Sequence, residues 1–359
     1  MTSQSELHIE ELKSEVEDEE SALPNYKILS YPVDYTLEVI HTLLKKGDIA
    51  IPNFQRKYVW KRYQSIRLVE SFLAGLPVPQ IFLYADPDTQ KSKVIDGQQR
   101  IRSIYYFIEG SFPEDSRSKK ETFRLSTLNP KSKWYNKTFS ELSDADQRMF
   151  LNRPLRALMI EQLDPNDDTS ITYIFERLNT GGTLLQNQEI RNSVYAGKFN
   201  DFLHTLNQNP DWKKLINKKI ADPRLKDVEL ILRFIALHNN LNKYEKPLKD
   251  FLSKFMRDHK AGETEFLNQS QKIFEQTCSV IVTTLDPKPF NFTKSLNPAL
   301  FDSVMVAFSK NLDRIPSDIK DRYILLINDK QFKDDCRDAT TDINVVKRRF
   351  GTAERILFQ

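Results

Sequence analysis

The chain has 359 residues, with 53 Lys and Arg against 50 Asp and Glu and a net charge of +3, so it is neither a strongly charged disordered polypeptide nor a highly basic one. Its length suggests two domains. Two cysteines, Cys278 and Cys336, exclude a disulfide framework; no apolar run approaches the roughly 18 residues that cross a membrane, and no basic-then-apolar leader opens the chain, which reads as cytoplasmic and not membrane-bound.

Residues 1–25 form the first segment. Eight carboxylates against Lys13 alone give residues 1–20 a charge of −7, which leaves +10 for the remainder. Such a block reads as a disordered acidic tail, either simply solvated or lying over a basic groove. Leu37, Ile40, Leu43 and Leu44 then mark a helix ended by Gly47, and Ile49-Ala50-Ile51 a short strand stopped by Pro52. A second helix runs from about Arg62 to Gly75, with Ile66, Val69, Phe72 and Leu73 on one face. The Pro77-Val78-Pro79 hinge leads into a strand from Gln80 to Tyr84, and Asp86-Pro87-Asp88 turns the chain into Lys93-Val94-Ile95.

The run Val94-Ile95-Asp96-Gly97-Gln98-Gln99-Arg100 places an acid, a glycine and an arginine where a strand becomes a helix, with Ile101, Ile104, Tyr105 and Ile108 at helical spacing. Helix N-termini present unpartnered amides at the positive end of the macrodipole, so this turn suits a phosphate. Read alone, it is equally a capped helix start with a glycine turn. Residues 111–147 interleave cations, including Lys119, Lys120, Lys131 and Lys133, with Trp134, Tyr135 and Phe139. That pattern fits either a nucleic-acid strand, with charges on phosphates and rings on bases, or an ordinary surface insertion. A strand from Pro154 to Ile160 and a helix from about Thr169 to Leu178 follow, the latter ended by Asn179-Thr180-Gly181-Gly182; Asn187 is placed to cap the next helix.

Three segments occur in a fixed order: Ile51-Pro52-Asn53-Phe54-Gln55-Arg56-Lys57-Tyr58-Val59-Trp60, the Asp96–Arg100 run, and Phe175–Gly182 with Gln188-Glu189-Ile190-Arg191-Asn192. Together they resemble the ParB-like domain with the DGQQR motif that forms the N-terminal part of GmrSD-type modification-dependent restriction endonucleases, over roughly residues 26–195. The resemblance implies an α+β ParB/sulfiredoxin-like fold and a bacterial phage-defence protein that acts on or with DNA. It also implies binding of a nucleoside triphosphate, with Mg²⁺-dependent hydrolysis. Under it, Asp96 and Arg100 are the catalytic residues, with Asp96 holding Mg²⁺; Gly97, Gln98 and Gln99 hold the phosphates, Gln55 and Arg56 close over the nucleotide, and Asn179 and Gly181 line the opposite wall. The standard C-terminal HNH nuclease of that family is not recognisable, since Asp258-His259 is followed by Lys260-Ala261-Gly262-Glu263. A separate nuclease or defence-system subunit is therefore an expected partner.

Residues 196–359 read as an all-α helical domain. Val228 to Leu237 is apolar nearly all round and reads as a buried axis, while Lys213-Lys214, Lys218-Lys219 and Lys347-Arg348-Arg349 read as solvated faces. None of the nine glycines opens a P-loop, and HExxH, CxxC and G-x-S-x-G are absent, so the expected triphosphatase uses no standard motif. Two alternatives stand beside it: a non-hydrolytic, nucleotide-gated module that binds DNA or recruits a partner, and a metal-dependent nuclease, disfavoured because the motif supplies one carboxylate.

Overall fold

The structure is a computed structural model, and it describes residues 7–10, 12, 27–51, 58, 60–86, 90–112, 121–163, 173–174 and 186–359. By contacts the chain divides into an α+β unit, Asn25–Leu184, and a helical unit that combines Met1–Pro24 with Leu185–Gln359.

The α+β unit runs β1 (Ile28–Thr36), α1 (Leu37–Lys46), β2 (Ile49–Ala50), α2 (Arg62–Ala74), β3 (Ile81–Ala85), β4 (Ser92–Asp96) and α3 (Gln98–Ile108). After these come β5 (Ser111–Phe112), β6 (Glu121–Thr122), α4 (Asp144–Leu151) and β7 (Pro154–Gln162). Among the described residues the main sheet has five strands in the order β1-β7-β3-β4-β2. β1 with β7 and β3 with β4 are antiparallel; β7 with β3 and β4 with β2 are parallel. Alternate residues turn one sheet face to the helices: Ile81 and Leu83 on β3, and Leu155, Ala157 and Met159 on β7, share a core with Ile66, Val69, Phe72, Ile101, Ile104 and Phe107.

The expected helices at Leu37, Arg62 and Gln98 and the strands at Ile49, Ile81, Ser92 and Pro154 are all present. The sequence reading missed β1. Pro32 interrupts its pattern, and proline is tolerated in a sheet where no partner needs its missing N–H; β1 pairs with β7 along its whole length and is an edge strand among the described residues.

Residues 121–151 are also more than a polar insertion. Phe123 and Leu125 are fully buried, Leu128, Leu142 and Phe150 join the core, and Phe107 packs edge-on against Phe123, Phe139 and Phe150. The apolar residues in that stretch are too widely spaced to show periodicity, yet they converge on one side of α3.

The helical unit contains α5 (Asn187–Val194), α6 (Lys198–Leu206), α7 (Pro210–Leu215), α8 (Lys226–Asn240), α9 (Leu248–Asp258) and α10 (Thr264–Thr284). It continues with α11 (Pro298–Ser309), α12 (Ile319–Asn328), α13 (Lys330–Asp335) and α14 (Ile343–Phe358). Residues Val228 to Leu237 of α8 are buried with the exception of Glu229. Every residue of α11 is buried as well. The two helices are joined by an internal ion pair, Arg233 Nη2 to Asp302 Oδ2 at 2.6 Å and Nε to Oδ1 at 3.1 Å. Among the described residues no helix is long and apolar enough to cross a membrane.

Residues 7–10 and 12, counted with the acidic tail on charge, pack on the helical unit instead. Ile9 bridges to Leu296, Glu10 N–H donates to Leu296 O at 2.8 Å, Asn297 Nδ2 donates to Glu10 Oε2 at 2.9 Å, and Leu7 N–H donates to Asp222. Leu7 and Leu12 are buried, and this apolar pair is what a charge count overlooks.

Removing one partner of the Arg233–Asp302 pair leaves a buried charge alone, which costs about 3–5 kcal/mol. Asp302→Ala is expected to lose that much in urea unfolding, and Arg233→Met with Asp302→Leu to recover most of it. Equal stability of the single variant and the wild type would show that the pair contributes nothing.

Candidate functional site

Asp96 ends β4, and Gly97 turns the chain into α3. At this exit Phe82 pairs with Asp96 while Leu83 pairs with Val94, so β4 carries one extra residue and bulges around Ile95. A bulge re-aims the residue beside it. Gly97 has φ +97°, and a Cβ there would lie 2.9 Å from Ile81 Cβ. Both the left-handed backbone and the contact with β3 demand glycine. As N-cap, Gly97 has no side chain to offer, so no side chain caps the first turn of α3.

Arg100 is held from three directions. Nη1 donates to the carbonyls of Pro79 at 2.7 Å and Gln80 at 2.8 Å, and Nη2 to Asp96 Oδ2 at 2.6 Å. Its side chain is 14% exposed, whereas that of Asp96 is 37% exposed, so the carboxylate is open to solvent and the guanidinium is not. Arg100 therefore pins the start of β3 to the first turn of α3.

The other side of α3 carries Gln98, Gln99 and Arg102. Gln99 Oε1 accepts from Trp60 N–H at 3.3 Å, and Ser103 Oγ lies 2.7 Å from Tyr58 Oη, so the residues that follow Lys57 in sequence are fastened to α3. Tyr58 also stacks edge-on against Tyr106 and Phe112. Gln98 Oε1 and Arg102 Nε are buried without a hydrogen-bond partner among the described residues.

The structure thus brings Asp96, Gly97, Gln98, Gln99 and Arg100 onto one strand-to-helix turn. Gln55, Arg56, Asn179, Gly181, Lys119 and Lys120 lie outside the described residues. Arg102, which was given no role from the sequence, lies on the same helix four residues after Gln98.

The interleaved cations and rings of residues 131–139 are arranged differently from a stacking platform. Trp134 and Phe139 pack against the core, and Tyr135 alone of the three rings is exposed. Lys133 Nζ lies 2.8 Å from Asp146 Oδ1 and holds that carboxyl below its usual range. Lys131 is exposed.

In the helical unit, Arg191 is buried and donates to Gln188 Oε1 at 2.9 Å and Glu229 Oε2 at 3.1 Å, while Glu189 pairs with Arg224 at 3.0 Å. Asn187 is the first helical residue rather than the cap, and Glu189 accepts from Gln186 N–H at 2.7 Å. Of the expected solvated patch at Lys347-Arg348-Arg349, Arg348 pairs with Asp335 and Arg349 is buried, donating to Ser303 Oγ at 3.0 Å. His259 packs between Phe255 and Phe266, ring centroids 4.2 and 4.3 Å away, and its Nδ1 lies 2.9 Å from Phe255 O. Among the described residues no group of three or more His, Cys, Asp or Glu is placed to hold a metal ion.

Residues 40–196 match the family model described as GmrSD restriction endonuclease, N-terminal domain. Over this stretch the chain is similar to a GmrSD-type N-terminal domain. The Asp96–Arg100 turn lies inside the GmrSD-type match, which ends at residue 196 and so takes in α5, a helix that packs with the helical unit. No curated protein matches the chain.

Gly97→Ala is expected to cost about 2 kcal/mol or more in denaturant unfolding, because strain and a collision with Ile81 combine. Gly110→Ala, at φ +70° with open space around the added Cβ, meets strain alone and should cost less. Equal losses at the two positions would remove the packing argument.

Proposed function

We propose that the chain binds a nucleoside triphosphate with Mg²⁺ at the Asp96–Arg100 turn and hydrolyses it, as part of a bacterial restriction or phage-defence protein that acts on or with DNA. The DNA part of this reading rests on the GmrSD family match. The nucleotide part rests on one observation: a glycine-capped helix start, with no side-chain cap, directly beside a solvent-open carboxylate. Amides at such a start bind phosphate oxygens, and Gly97 lets the ligand come close to the backbone.

The donor set limits the metal. One carboxylate fits an Mg²⁺ that arrives on the phosphates, which usually takes one or two carboxylates and keeps its waters, and does not fit a resident all-protein site. When bound there, Mg²⁺ supplies neutralisation of charge on the phosphates. Asp96 accepts from Arg100 through Oδ2, which leaves its other oxygen to take a hydrogen bond from the attacking water. Water adds to the γ-phosphorus as the bond to the β–γ bridging oxygen breaks. Gln55 and Arg56 would cover the nucleotide, and Asn179 with Gly181 would line the facing wall. Arg100 orients Asp96 and the turn. Of the lysines expected at DNA, Lys131 and Lys133 are described and exposed, and Lys133 is paired with Asp146.

The same engagement of Arg100 favours a second reading, a nucleotide-gated module without turnover, since a guanidinium held by two carbonyls and a carboxylate has little left to offer a developing charge. Phosphate release from ATP, GTP and CTP with Mg²⁺, with and without DNA, separates the two. Hydrolysis predicts release that falls about 100-fold or more in Asp96→Ala and stops with EDTA. Absence of release under every condition, with nucleotide still bound, would replace hydrolysis with gating.

A further inference from the structure

We propose that Arg102 and Gln98, one turn apart on the outer side of α3, are the side chains that contact the nucleotide, and that Arg102 rather than Arg100 meets its phosphates. This inference rests on nucleotide binding at the turn and goes beyond it by naming the cation and the ligand class. Ile101, Ile104 and Phe107 face the core, so Gln98 and Arg102 occupy the opposite stripe, beginning at the first turn where the phosphates sit.

The two arginines of α3 differ in what already holds them. Arg100 makes three charge-assisted hydrogen bonds inside the protein. Arg102 has no carboxylate partner among the described residues; its one hydrogen bond is a long one, Nη1 to Tyr106 Oη at 3.4 Å, and its Nε is buried and unbonded. Beside it, Gln98 Oε1 is a buried acceptor that is also unbonded. Buried polar atoms are nearly always paired, and two orphans on neighbouring turns ask for a common partner. The pair consists of a donor and an acceptor. A bare polyphosphate offers acceptors only, whereas a nucleotide sets phosphate oxygens beside ribose hydroxyls and base N–H groups, and so satisfies both atoms at once.

Isothermal titration of the full chain with ATP, GTP, CTP and tripolyphosphate, each with Mg²⁺, tests the assignment, with thermal melting of each apo variant alongside. Arg102→Ala is expected to weaken nucleotide and tripolyphosphate alike by about 10- to 100-fold, the usual effect of losing a charged hydrogen bond. Arg102→Lys, which keeps the charge and loses the Nε donor, falls between. Gln98→Leu weakens the nucleotide and leaves tripolyphosphate unchanged. All three should melt within a few degrees of the wild type, whereas Arg100→Ala should melt lower without ligand. Wild-type affinity in Arg102→Ala overturns the assignment and leaves nucleotide binding standing. A wild type that binds no nucleotide overturns that reading and this assignment together.

Discussion

The α+β unit depends on how β4 hands over to α3. At that junction the backbone enters a left-handed conformation at Gly97, the bulge at Ile95 shifts the register against β3, and Ile81 fills the space where any other residue would carry a Cβ. Arg100 closes the arrangement by donating to two carbonyls just before β3 and to the carboxylate that ends β4. One side chain thus ties two strands and a helix together, in a place where a peptide carbonyl left without a donor would be costly. The alignment of α3 on the sheet, and with it the direction in which its first turn opens, follows from this clamp.

Two arginines of the same helix therefore have different environments. Arg100 turns toward the sheet and donates to three oxygens of the protein, whereas Arg102 lies on the opposite stripe with a buried donor that has no partner among the described residues. A clamp and a ligand contact impose opposite requirements on a guanidinium: the first must stay engaged in the absence of ligand, and the second must be available. Under the proposed assignment, separate residues meet the two requirements. Asp96 anchors Arg100 through one oxygen, and its side chain remains partly open to solvent.

The helical unit uses charge in a structural way. Arg233 with Asp302 joins two buried helices, Arg348 and Arg349 fasten α14 to Asp335 and Ser303, and Arg191 is enclosed by Gln188, Glu229 and Ser253. Arg348 and Arg349, read from the sequence as part of a solvated face, have internal partners here. His259 is consumed in the same manner, by aromatic packing between Phe255 and Phe266.

Local pattern was enough for most elements of the core. Leu37, Ile40 and Gly47 define α1; Ile66, Val69, Phe72 and Gly75 define α2; and the switch from β-branched Val94-Ile95 to the helical spacing of Ile101, Ile104, Tyr105 and Ile108 locates the turn at Gly97. The run from Val228 to Leu237, apolar nearly all round, likewise announces a buried helix, because such a helix has little polar face to give to water. Pro32 hid β1, since its effect depends on whether the strand lies at an edge, and strand order is not a local property. By itself the sequence determined where periodicity changes, and so the kinds of element and the residues at the candidate turn. Only the tertiary structure decided which charges are spoken for. Two of the three partners of Arg100 are backbone carbonyls 20 and 21 residues upstream, that of Lys133 is 13 residues away and that of Arg233 is 69 residues away, and such pairings are set by how the elements pack, which no local spacing encodes.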